Sequence, residues 1–80
     1  MSQRDKLVDR FCGPPRPTEA RFADVRRLLE AFGWMLAREE GSHAHFKKPG
    51  QRTITIPRHG GRKVRRAYLE LICERLGLDE

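Results

Sequence analysis

Eighty residues and a mass of 9.3 kDa leave room for one hydrophobic core, which excludes two-lobed enzymes and domains wrapped around a large cofactor. Hydrophobic residues make up 38% and charged residues 35% of the chain, polar for a globular domain but with apolar periodicities that a disordered chain lacks. Seventeen Lys and Arg against eleven Asp and Glu give a net charge of +6, and no apolar run reaches the ~18 residues of a membrane span.

The segment Gln3 to Phe11 spaces Leu7, Val8 and Phe11 as a short helix would. Gly13-Pro14-Pro15-Arg16-Pro17 then forbids continued helix, so residues 1–17 read as an N-terminal helical extension and Pro-rich linker, an appendage to a domain at 18–80. Thr18 is a candidate helix N-cap. From Phe22 to Phe32 the positions Phe22, Val25, Leu28, Leu29 and Phe32 form the clearest helical stripe in the chain. Asp24 suits its first turn, and Gly33 follows where a left-handed C-cap is wanted.

After Gly33 the period falls to two. Trp34 to Arg38 reads as a strand, Glu39-Glu40-Gly41 as a turn, and Ser42 to Lys47 as a second strand with Ala44 and Phe46 on one face and His43, His45 and Lys47 on the other. Pro49-Gly50 turns the chain into a third strand, Arg52 to Ile56, ended by Pro57. Beyond the loop Arg58-His59-Gly60-Gly61, the residues Val64, Tyr68, Leu71, Ile72 and Leu76 mark a last helix with Gly77 as its C-cap. The fold expected is α+β: a three-stranded antiparallel sheet with both helices on one face, leaving the His43, His45 and Lys47 side open. Trp34, Phe46 and Tyr68 are expected in the core.

The charge is unevenly placed. Residues 1–40 carry a net +1 and residues 41–80 a net +5, and between Gly41 and Leu69 there is no Asp or Glu. A long stretch of one sign is the footprint of a polyanion ligand, and it makes Lys47, Lys48, Arg52, Arg58, Lys63 and Arg65, with His45 and His59, the candidate polyanion-binding residues. Cys12 and Cys73 stand apart with no CxxC pairing, and the three histidines add no structural zinc spacing, so no metal is expected. The N-terminus reads as charged rather than as a signal peptide, so both cysteines are read as reduced and the protein as cytoplasmic.

The run Leu28-Leu29-Glu30-Ala31-Phe32-Gly33-Trp34, then Gly41-Ser42-His43-Ala44-His45-Phe46 with Pro49-Gly50, then Ile54-Thr55-Ile56-Pro57 and a closing Leu76-Gly77-Leu78, resembles the HicA (YcfA-like) family of toxin-type mRNA interferases. The resemblance spans about residues 21–78. It implies a double-stranded-RNA-binding-like α-β-β-β-α fold, metal-independent cleavage of mRNA without a cofactor, and inhibition by a HicB-type antitoxin. It also implies that the polyanion those residues bind is RNA and that the essential histidine is His43, with His45 in support. The chemistry is compatible: an imidazole titrates near neutrality and can take a proton from an RNA 2′-hydroxyl or give one to a leaving 5′-oxygen. Two other readings stand beside it, a non-catalytic RNA-binding module of the same fold and a protein-binding domain whose basic face meets an acidic partner. Loss of cleavage on substitution of His43 separates the first, and salt-sensitive RNA binding the second.

Overall fold

The computed structural model describes residues 3–58, 60 and 62–78. In chain order these form α1 (Gln3–Cys12), β1 (Glu19–Arg21), α2 (Phe22–Ala31), β2 (Met35–Glu40), β3 (His43–Lys47), β4 (Ile54–Pro57), β5 (Lys63–Arg65) and α3 (Arg66–Arg75). Strands β2, β3 and β4 make an antiparallel sheet in that order, and β1 pairs antiparallel with β5 in a separate ribbon. The α+β class and the α-β-β-β-α order run from α2 to α3 as the sequence implies; the ribbon is an addition.

One apolar cluster holds the molecule together. Val25, Leu28 and Leu29 of α2 and Leu69, Ile72 and Cys73 of α3 meet Ala44 and Phe46 of β3 and Ile54 and Ile56 of β4, all essentially without solvent contact. Removing a Leu, Ile or Phe side chain from water in this way contributes roughly 1.5–3 kcal/mol each. Trp34 and Phe46 are buried and Tyr68 packs partly buried against the same cluster. Both helices therefore lie over the inner face of the sheet, and His43, Lys47 and Thr55 point from the other face into solvent.

The helix ends show how local chemistry and tertiary structure divide the work. At the C-terminus of α2, Gly33 takes φ +87° and donates to the carbonyl of Glu30, while Trp34 donates to that of Leu29. At the end of α3, Gly77 and Leu78 repeat the pattern on Glu74 and Cys73. Both are Schellman closures, which need a left-handed residue that glycine supplies without strain. The N-termini work differently. Thr18 does not cap α2; Arg21 precedes the helix in extended conformation with no side-chain cap, as Arg65 does before α3. The ribbon performs the capping instead: the first helical N–H of α2, on Phe22, donates to the carbonyl of Arg62, and that of α3, on Arg66, donates to the carbonyl of Thr18. Each strand thus hands its last ladder bond to a helix start, satisfying a donor that would otherwise be orphaned. The same pairing takes Val64 out of the helical stripe and into β5, where it is buried opposite Ala20.

Two further expectations are corrected. Helix α1 is no appendage, because it packs on α2 and α3 and contributes Leu7, Phe11 and Cys12 to the common core. The cysteines are not free thiols, because Cys12 at the end of α1 and Cys73 in α3 form a disulfide across a sequence separation of 61, with their Cα atoms 5.7 Å apart. Their distance along the chain says nothing once α1 folds back on α3, and packing alone brings the two sulfurs together.

Candidate active site

The open face of the sheet is built by register. A two-residue turn, Gly41-Ser42, joins β2 to β3, with Gly41 at φ +57°, as the first position of a type II′ hairpin requires. The turn places Glu40 opposite His43 and, in the same register, Arg38 opposite His45; a shift in the ladder between Arg38 and Leu36 then places Leu36 opposite Phe46 and Met35 opposite Lys47. On the other side Pro57 faces His43 and Thr55 faces His45. The outer face therefore carries Met35, Arg38 and Glu40 on β2, His43, His45 and Lys47 on β3, and Thr55 and Pro57 on β4. The shift also lets Leu36 turn inward while Arg38 stays outward, which strict alternation from Trp34 does not give.

The two strand histidines differ in what holds them. His45 is half-buried, its Nδ1 sharing a hydrogen bond with Thr55 Oγ1 at 3.0 Å and its Nε2 lying 3.4 Å from Glu40 Oε1. Glu40 also pairs with Arg38, so Arg38, Glu40, His45 and Thr55 form a polar chain across all three strands. His43 is exposed, and its ring makes no hydrogen bond or ion pair with the described residues. Its backbone is nevertheless fixed: the Arg58 N–H donates to the carbonyl of Ser42 at 2.7 Å and Arg58 Nη2 to that of Gly41 at 3.1 Å. His43 is thus an exposed side chain, without a partner among the described residues, beside a turn that Arg58 holds in place.

The other predicted residues scatter. Lys47 shares the open face and has no partner among the described residues, and Arg52 is exposed in the loop before β4. Lys48 turns inward and donates from Nζ to the carbonyl of Phe32 at 2.8 Å, a cation on the C-terminal end of α2. Such a bond to a helix end contributes about 1 kcal/mol, so Lys48→Met is expected to lower stability by that amount in a urea titration. Arg58 also lies on the helix side of the sheet, 3.5 Å from Glu39 and 5.1 Å above the Phe22 ring. Its charge is engaged in holding the turn. Lys63 pairs with Glu19 at 2.9 Å and stands with Arg65 on the solvent face of the ribbon, away from the sheet. His59 lies outside the described residues.

Sequence reading missed Glu40, Arg38 and Thr55 at this site. The stretch after Gly41 contains no acid, yet the hairpin folds Glu39 and Glu40 back beside it. Counting back from a two-residue turn would have placed Glu40 opposite His43. Among the described residues no three His, Cys, Asp or Glu side chains gather closely enough to hold a metal ion.

A basic domain with α2 and α3 behind a three-stranded antiparallel sheet and an exposed histidine on the open face is an α+β protein of the α-β-β-β-α class. More narrowly, the chain belongs to the HicA toxin family: the family model described as the HicA toxin of bacterial toxin–antitoxin systems matches residues 22–78. No curated protein and no solved structure matches it significantly. Membership makes it a toxin of the toxin–antitoxin type, from a family whose members are in general ribonucleases, and implies an antitoxin partner. No helix among the described residues is long and apolar enough to cross a membrane.

Proposed function

We propose that this protein is a metal-independent endoribonuclease that cleaves mRNA in the cytoplasm, with His43 as its proton-transfer group. The observation that supports this reading most strongly is the contrast between the two strand histidines: His45 is tied to Thr55 and Glu40, while His43, beside a turn that Arg58 holds in place, has no partner among the described residues. In the reaction the 2′-oxygen attacks the adjacent phosphorus as His43 takes its proton. The bond from phosphorus to the 5′-oxygen breaks as a proton is returned to that oxygen. The products are a 2′,3′-cyclic phosphate and a 5′-hydroxyl. Lys47, on the same face, offsets negative charge building on the phosphoryl oxygens. The polar chain through His45 and Glu40 positions the neighbouring strand rather than reacting.

The chemistry is tested with a long single-stranded RNA in EDTA. Cleavage is expected to continue without divalent metal, to leave cyclic or 3′-phosphate ends, and to fail on an otherwise identical 2′-O-methyl RNA. Complete loss of activity in EDTA, or cutting of the 2′-O-methyl substrate, overturns the mechanism. The antitoxin, in this reading of the HicB type, inhibits by covering the open face and shielding His43 from RNA.

A further inference from the structure

The family match begins at residue 22, yet the residues before it build a cationic surface together with β5. In the ribbon Arg21 faces Lys63 and Glu19 faces Arg65, and because Ala20 and Val64 between them are buried, all four side chains stand on the solvent side. Like charges directly opposite one another on a strand pair are destabilising, so Arg21 against Lys63 is an arrangement that packing alone does not favour. Lys63 is offset by Glu19 at 2.9 Å. Arg21 is exposed and makes no ion pair or hydrogen bond with the described residues. A third cation arrives from α1: Arg10 lines the same groove of about 300 Å³ as Arg21 and Lys63, over a floor that includes Phe11 and Ala20. Arg10 lies 3.6 Å from Asp24, but its side chain remains 63% exposed. Against three cations the groove itself sets one acid, Glu19.

This groove is connected to the His43 end of the sheet. Arg58 bonds the carbonyl of Ser42, its guanidinium lies over Phe22, and the Phe22 N–H bonds the carbonyl of Arg62, the residue just before Lys63. These contacts link the turn beside His43, through Arg58 and Phe22, to the backbone just before Lys63, and Arg58, at 3.5 Å from Glu39, is the point on this chain that meets the hairpin acids.

We propose that the ribbon and Arg10 form a second binding site, for the phosphodiester backbone of the RNA strand flanking the one held at His43, and that the N-terminal segment exists in part to supply its two arginines. The inference rests on the reading of the open face as an RNA-cleaving site. Point cations on an exposed ribbon recognise phosphate without regard to base, so the site adds affinity and substrate length, not sequence preference.

The test measures binding of a long single-stranded RNA as a function of salt, using full-length protein carrying His43→Ala so that the RNA survives. Adding Arg10→Gln and Arg21→Gln is expected to weaken binding and to reduce the slope of log affinity against log salt by about 1.4, about 0.7 for each phosphate no longer neutralised. Arg21→Gln alone should account for about half of that. Both residues are exposed, so thermal unfolding should be nearly unchanged. Salt-dependent RNA binding with an unaltered slope overturns the second site while leaving the open-face reading intact. If the His43→Ala protein binds no RNA at all, both fall. If the arginine substitutions leave RNA binding unchanged but weaken capture by the antitoxin, the groove is a protein-binding surface and its assignment to RNA is wrong.

Discussion

Replacing His43 by alanine is expected to slow RNA cleavage by roughly 10²–10⁴-fold, the usual contribution of a positioned acid–base group, and to relieve growth inhibition in cells producing the protein. The fold should survive. His43 is exposed and its ring has no partner among the described residues, so truncation should change stability by no more than about 0.5 kcal/mol. RNA affinity should also persist, because the cations that neutralise phosphate are elsewhere. Initial rates on a long single-stranded RNA, gel-shift affinity and a thermal melt separate these effects. A variant that cuts at the wild-type rate removes His43 from the mechanism, and one that neither cuts nor binds makes its role structural. His45→Gln is the useful contrast: it disturbs the chain from Thr55 to Glu40 and should cost less activity than His43→Ala.

Reducing the Cys12–Cys73 disulfide is expected to lower stability by about 4 kcal/mol, the loop-closure value for a separation of 61 residues. In a domain of this size that is a large share of the total, since native proteins hold only about 5–15 kcal/mol. Guanidinium titrations with and without reductant, and of Cys12→Ser with Cys73→Ser, should agree on the loss. Identical midpoints under both conditions would mean that the bridge is not formed. Cys73 is fully buried and Cys12 nearly so, so reductant should act slowly until α1 opens. Disulfides persist in oxidising compartments and are scarce in the cytosol. In a reducing cytoplasm, α1 would be held to α2 and α3 by the burial of Leu7 and Phe11 without the bridge.

Much of the fold was legible because each piece has a local physical cause. The stripe Val25, Leu28 and Leu29 can be buried only by a helix, the alternation around Ala44 and Phe46 only by a strand, and the glycines at 33 and 77 close their helices by backbone geometry that needs no distant partner. The ribbon was not legible. Strands β1 and β5 have three residues each, too few for a period to declare itself, and their pairing joins residues 19–21 to residues 63–65. Because the helix N-termini are capped by that ribbon, Thr18 as a cap was the reasonable local answer and the wrong one.

The same division applies to the site. Sequence alone determined that His43 and Lys47 would share a strand face opposite Ala44 and Phe46, because side chains alternate across a pleated strand whatever surrounds it. It also determined the excess of positive charge after Gly41. Only the tertiary structure decided which charges remain available. Lys48 is drawn to the carbonyl end of α2, Arg58 is stacked on Phe22 and bonded to the turn, and Glu40 is folded beside His45. It alone decided that Leu7, Phe11 and Cys12 belong to the core and that Cys12 meets Cys73. The physical reason is the range of the interactions: backbone periodicity and capping act over a few residues, whereas ion pairing, stacking and a sulfur–sulfur bond depend on which surfaces the collapse of the chain brings within a few ångströms.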